Sequence, residues 1–265
     1  MTKQVYNLVM NILIETHSHT VASGHFTHDT ITDLARAAKQ KGLRLLCVTD
    51  HSPSIPGSAT ENYFRSLKYC EKKRFGVELL YGTEADVMDE HGKLGMSDEI
   101  LAEMGIVIAS QHPPCFKPSD IDTNTRGMIH AVESGRIDIV GHPDDEKYPL
   151  DAETLVNTCK QYGTMIEMNN ASLNPNGYRG DAKARDAELL KLCKEKRVYV
   201  SLGSDSHGAA HIADFTYALA LVRECNFPEE LIVNSSLTLF RSLLAPHSLV
   251  RKKYLSESSD QHKLF

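Results

Sequence analysis

Along this chain, apolar runs of about five residues recur seven times, each closed by polar groups and followed by a helix-like pattern. Runs this short and uniformly apolar predict strands buried on both faces and paired in parallel. An open parallel sheet gathers its ligand groups at one switch point. Here polar residues close almost every strand at the same end, as the carboxyl-terminal rim of a barrel requires. The expected fold is α/β, a distorted seven-stranded (β/α)7 TIM-like barrel.

The first run, residues 9–14, ends in Glu15–Thr16–His17–Ser18–His19. Residues i and i+2 of a strand share a face, so His17 and His19 direct two imidazoles at one point. Later runs end near His51, Glu84, His112, His142, Asn169–Asn170 and the pair Asp205 and His207, while His25 lies in the first loop. Helices are expected near 31–38 (capped by Thr27 or Asp29), 61–73, 123–133, 151–162, 182–196, 210–224 and 237–244. Residues 232–233 read either as a remnant eighth strand or as coil.

The length of 265 residues and 41% hydrophobic content suffice for one sizeable core. With no Pro/Gly/Ser-rich linker, a single domain is expected over 1–250, followed by a polar tail over 251–265 that frays. The net charge of -6 and the lack of a basic run disfavour nucleic acid as a partner. A small anionic substrate held by local charge stays open. Six cysteines without a CxxC pair suit a reducing compartment. The first residues carry neither a signal-peptide pattern nor an apolar stretch of membrane length, so a soluble cytoplasmic protein with no membrane partner is expected.

The strand ends supply seven imidazoles and two carboxylates: His17, His19, His25, His51, Glu84, His112, His142, Asp205 and His207. One such histidine is an ordinary polar residue. Seven brought together without a cation would leave many ring nitrogens lacking partners. The mixture suits zinc, manganese or iron and is too nitrogen-rich for magnesium or calcium.

In order, His17–Ser18–His19, His25, Thr49–Asp50–His51, Gly82–Thr83–Glu84, His112, Gly141–His142–Pro143 and Gly203–Ser204–Asp205–Ser206–His207 resemble the PHP (polymerase and histidinol phosphatase) superfamily. The resemblance covers about residues 12–245 and is strongest to small stand-alone bacterial phosphatases. It implies a (β/α)7 barrel, three divalent metal ions per chain, usually zinc, and phosphoester hydrolysis. It further implies that His17, His19 and Asp205 hold one ion, His25, His51 and His207 a second, and His112 and His142 a third. Glu84 would bridge.

Three such ions would carry more positive charge than Glu84 and Asp205 neutralise, and so would attract a phosphate dianion and hydroxide. The chemistry expected is in-line attack of a metal-bound hydroxide on phosphorus, with Glu84, Asp205 and His207 at the catalytic centre. Arg179 and Arg185 are candidates to hold phosphate, and His211 a candidate acid for the leaving group. Asp50 reads as a support for a ligand imidazole or as a turn residue. Asn169 and Asn170 read as substrate contacts or as braces for neighbouring loops. Competing readings are a histidinol-phosphate phosphatase, a PHP-type exonuclease, and a non-catalytic protein stabilised by its metals. Substrate, native metal and oligomeric state are not legible at this level.

Overall fold

The computed structural model describes residues 10–261, with side chains to residue 252. Residue 9 of the first run and residues 262–265 of the tail lie outside the described residues. Two short strands open the chain, β1 (Ile14–Glu15) and β2 (Ser18–His19), and are followed by α1 (Ile31–Gln40) and β3 (Leu45–Val48). Then come α2 (Glu61–Ser66), β4 (Lys73–Arg74), β5 (Val77–Asp86), α3 (Asp98–Leu101) and β6 (Ile106–Ser110). The second half runs α4 (Ile121–Glu133), β7 (Ile139–Val140), α5 (Ala152–Tyr162), β8 (Met165–Asn169) and α6 (Ala182–Lys196). It closes with β9 (Val200–Gly203), β10 (Ser206–His207), α7 (Thr216–Glu224) and α8 (Leu237–Gln261).

Strands β1, β3, β5, β6, β7, β8 and β9 lie side by side in that order, every pair parallel. This is the expected seven-stranded barrel, with one seam between β1 and β9 that no backbone ladder seals. The Asn234 side chain fills the seam. Its amide nitrogen donates to the carbonyls of Ile14 and Leu202, and its oxygen accepts from the Leu202 N–H at 2.7 Å. Residues 232–233 are thus a remnant: one parallel bridge from Ile232 to Val200, then a 3-10 turn. Above the seam β2 and β10 pair in parallel, His207 opposite His19.

Alternation along the strands sorts the barrel interior into layers. Ile14, Leu45, Cys47, Ile106, Ile108, Ile139 and Met165 form a buried apolar plug with Phe240 and Leu244 of α8. Two residues beyond Met165 the same face carries Glu167 and then Asn169, both fully buried. The plug therefore floors a polar chamber at the strands' carboxyl ends. A second apolar layer packs the helices against the outside of the barrel.

Four local expectations need correction. Helix α1 is capped by Thr30, not Thr27 or Asp29, because Thr30 and Asp33 complete a reciprocal capping box. Helix α2 stops at Ser66 rather than 73. The chain instead turns at Phe75 and Gly76, both at positive φ, and β4 returns as a hairpin on β5. Helix α7 starts at Thr216, not 210, since Ala213 sits at φ +58 and interrupts a continuous helix. Helix α8 continues past 244 through Pro246. Arg251, at the head of the expected tail, is buried: it donates to Asp138 at 2.9 Å and to the Arg136 and Met104 carbonyls. Among the described residues no helix is long and apolar enough to cross a membrane.

Candidate metal centre

The chamber brings all nine candidate ligands to one place. Glu84, near the end of β5, stands at its middle. Its Oε2 lies 2.7 Å from His51 Nδ1 and 3.5 Å from the Nε2 atoms of His17 and His19. Its Oε1 lies 2.8 Å from His142 Nε2 and 3.6 Å from His112 Nε2. Asp205 Oδ1 approaches His19 Nε2 at 3.2 Å and His17 Nε2 at 3.7 Å. His25 and His207 face each other, Nε2 to Nε2, at 3.3 Å. His142 and Asp205 both occupy positive φ, at +27 and +51, a strained backbone of the kind held in place at functional sites.

Three ligand triads cluster here: His17–His19–Asp205, His19–His51–His207 and His51–Glu84–His112. The first matches the expected first-ion set. In the others His19 and His51 are shared, with His25 and His142 joining through His207 and Glu84. Among the buried atoms without a hydrogen-bond partner are His17 Nε2, His19 Nε2, His51 Nδ1 and Glu84 Oε2. Such orphaned atoms are costly unless something binds them. Four of them, all lone-pair bearers aimed into one chamber, fit divalent cations.

The opposite edges of these rings are fixed by hydrogen bonds that leave the inner nitrogens free to coordinate. His17 Nδ1 bonds Glu167 at 2.7 Å, His112 Nδ1 bonds Asp86 at 2.7 Å, and His19 Nδ1 bonds the Ser23 hydroxyl at 3.0 Å. Asp86 in turn accepts from Ser52 and Ser54. Glu167 accepts from the His142 N–H and the Asn169 amide. A Cβ at Gly203 would sit 1.9 Å from the Glu167 carboxylate, so only glycine leaves room for that group beside His17.

Glu167 and Asp86 are the functional residues that sequence reasoning missed. Both were within reach of the same rule that paired His17 with His19, being two residues from Asn169 and Glu84. Asp50 supports a candidate ligand imidazole: it accepts from Ser23, whose hydroxyl holds His19 Nδ1, and from Thr20 and Tyr63. Asn169 and Asn170 are braces, Asn169 donating to Glu167 and Asp205 and Asn170 accepting from the N–H groups that open α7.

Electrostatics match the donor set. Burial alone would raise the Glu84 carboxyl, but His51, His112 and His17 hold it well below the usual carboxylate range. Burial raises Asp205 too, and His17 and Arg179 overcome it. Burial together with neighbouring His207 and His51 keeps His19 neutral, and burial and His51 push His25 down to about 4. His17 is the exception: burial disfavours its charge, but Glu167, Glu84 and Asp205 raise its pKa well above normal.

Arg179 is buried and donates from Nη1 to Asp205 at 2.9 Å, Ser172 at 3.1 Å and Asn169 at 3.3 Å. With His25, His51, His112 and His207 it lines a cavity of about 300 Å3 directly over the cluster. Arg185, by contrast, is turned to the Asp144 carbonyl at 3.2 Å and lines neither cavity at the rim. His211 is exposed on the wall of an adjoining cavity of about 370 Å3.

A parallel barrel whose rim carries clustered imidazoles around a central carboxylate defines a metal-binding barrel protein of the hydrolase type. The PHP domain family matches residues 15–229, and the chain belongs to that family. It is 41% identical over 236 residues to a protein of Caldanaerobacter subterraneus subsp. tengcongensis named "Probable phosphatase", covering 89% of this chain and 92% of that one. A protein of the same name from Aliivibrio fischeri is 35% identical over 235 residues, 89% of this chain and 94% of that one. Among solved structures, histidinol phosphate phosphatase from Lactococcus lactis, complexed with zinc, L-histidinol and phosphate, superposes with a TM-score of 0.57 at 16% identity. It covers 82% of this chain and 94% of that chain. A chain of an archaeal ribonuclease P structure superposes at a TM-score of 0.51 and 14% identity, over 91% of this chain and 90% of that one. At these identities the superpositions establish a shared fold.

Proposed function

We propose that this chain is a metal-dependent phosphoric monoester hydrolase acting on a small phosphorylated metabolite. The observation that carries the reading is the convergence of orphaned ligand atoms on Glu84, beneath a cavity that Arg179 also lines. The relatives named as phosphatases support it. When bound, divalent ions supply positive charge and a more acidic water, as displacement at phosphorus requires. His17, His19 and Asp205 would hold one ion, His25, His51 and His207 a second, and His112 and His142 a third, with Glu84 shared.

The chain's own work is positioning. Arg179, fixed through Nη1 by Asp205, Ser172 and Asn169, presents its guanidinium to the phosphoryl oxygens without needing to be ordered at the moment of binding. Glu167 and Asp86 hold His17 and His112 at fixed ring orientations. In the reaction an oxygen from water joins phosphorus and the ester P–O bond breaks. The leaving alkoxide takes up a proton, and His211 is assigned as its donor. Arg185 supports the loop that carries Asp144 instead of the substrate. Structural zinc sites are closed and cysteine-rich. This one has no cysteine and opens to a cavity, which favours catalysis over scaffolding. The six free thiols favour a cytoplasmic setting.

The test is a phosphatase screen over phosphorylated metabolites with zinc-, manganese- and iron-loaded protein, with single-stranded DNA as a parallel substrate. Phosphate release from monoesters that chelation abolishes and metal restores is expected, with Arg179→Lys raising KM about tenfold or more. Undiminished turnover after rigorous chelation, or cleavage of DNA alone, would overturn the reading.

A further inference from the structure

The cavity over the cluster accommodates a phosphoryl group, but a second one adjoins it. The two share Tyr178, Asp205 and His207 as a common wall, and the second encloses about 370 Å3. A phosphate ester seated over the cluster therefore has an adjoining space for its alcohol portion.

Three features of that space bear on what fills it. The first is Phe26. Its side chain is 81% exposed and its backbone sits at φ +59. An apolar ring in water, on a backbone that L side chains rarely adopt, is disfavoured twice in the free protein. Its orientation is set by edge contacts to the candidate ligand rings of His25, at 4.8 Å, and His207, at 5.7 Å. The ring is thus referenced to the reaction centre itself.

The second feature is Tyr178, 64% exposed and held by the Arg179 guanidinium at 5.0 Å and the Lys147 ammonium at 5.3 Å from its ring centroid. Tyr217 adds a third aromatic residue to the lining. The third feature is charge. No lysine or arginine among the described residues lines this second cavity, whereas Asp205 and Asp214 do. Asp205 is already engaged by Arg179, so a second phosphate would meet the Asp214 carboxylate and no lysine or arginine.

We propose that the second cavity is the leaving-group site and that it selects monophosphate esters of alcohols bearing a planar aromatic ring, with Phe26 as the specificity-determining platform. This rests on the phosphatase reading above. A ligand ring laid on Phe26 removes its face from water, and aromatic pairs gain beyond simple burial. Esters with a second anionic group are disfavoured by Asp214.

The test compares kcat/KM of the zinc-loaded enzyme for 2-phenylethyl phosphate and propyl phosphate, by release of inorganic phosphate. Both esters leave as primary alkoxides, so the difference reports recognition. A ratio of roughly ten or more in favour of the phenyl ester is expected. Phe26→Ala should bring that ratio to within about twofold of unity, and Phe26→Tyr, which keeps the ring, should restore it. Equal turnover of the two esters by the parent enzyme, or a ratio that Phe26→Ala leaves unchanged, overturns this inference alone. Release of phosphate from neither ester, nor from any metabolite in the wider screen, overturns the phosphatase reading and this inference with it.

Discussion

Glu84 is the residue on which the centre turns, because its two oxygens face two different groups of imidazoles. Glu84→Ala is expected to lower metal content below about three ions per chain. Activity should fall by more than the 10–100-fold typical of losing a supporting hydrogen bond. Elemental analysis and kcat/KM check both; three ions and full activity would end the bridging role. The cluster of candidate ligands was legible in the sequence because histidine and acid residues at strand ends are conspicuous. Glu167 and Asp86 were not. An acid inside an apolar run reads as a break in the strand, and only the two-residue alternation that puts it beside Asn169 or Glu84 reveals its direction.

Among the elements, α6 buries an acid on its apolar face. Asp186 lies with Leu189, Leu190 and Cys193, and neither of its carboxyl oxygens has a hydrogen-bond partner. Burial, with Asp144 and Glu167 nearby, raises its pKa well above normal. The folded protein thus retains a proton that the unfolded chain releases at about pH 3.9. Stability is eroded as pH rises from there to the folded value. Asp186→Asn should remove that erosion, so that the variant gains on the parent by up to about 1.4 kcal/mol per pH unit across the window. Denaturant midpoints at pH 4 to 8 measure it, and a pH-independent difference would refute it. Most helices were legible from their periodicity. The expected helix to 73 failed beyond the 3-10 turn at Leu67–Tyr69 because the hairpin depends on Phe75 adopting the positive φ usually left to Asn or Gly, and the expected start at 210 failed through Ala213 in the same backbone region; no residue pattern announces either.

For the whole molecule, the barrel was legible from the polar ends shared by every strand, but its incomplete closure was not. Between β1 and β9 the Asn234 side chain, in a stretch with no strand periodicity, takes the place of a backbone ladder, with Thr16 and Ser204 bonding across beside it. Asn234→Ala would orphan the Leu202 N–H and the Ile14 carbonyl, each costing about 1–3 kcal/mol if buried, while the Leu202 carbonyl keeps the Thr16 hydroxyl. A loss of roughly 2 kcal/mol or more in chemical denaturation is expected, and an unchanged midpoint would show that the seam bears no strain. His17 and His19 stand on one lip of that seam and Asp205 and His207 on the other. An ion gripped by His17, His19 and Asp205 would therefore act as a rivet across the split, so that taking up metal and finishing the cylinder become a single event.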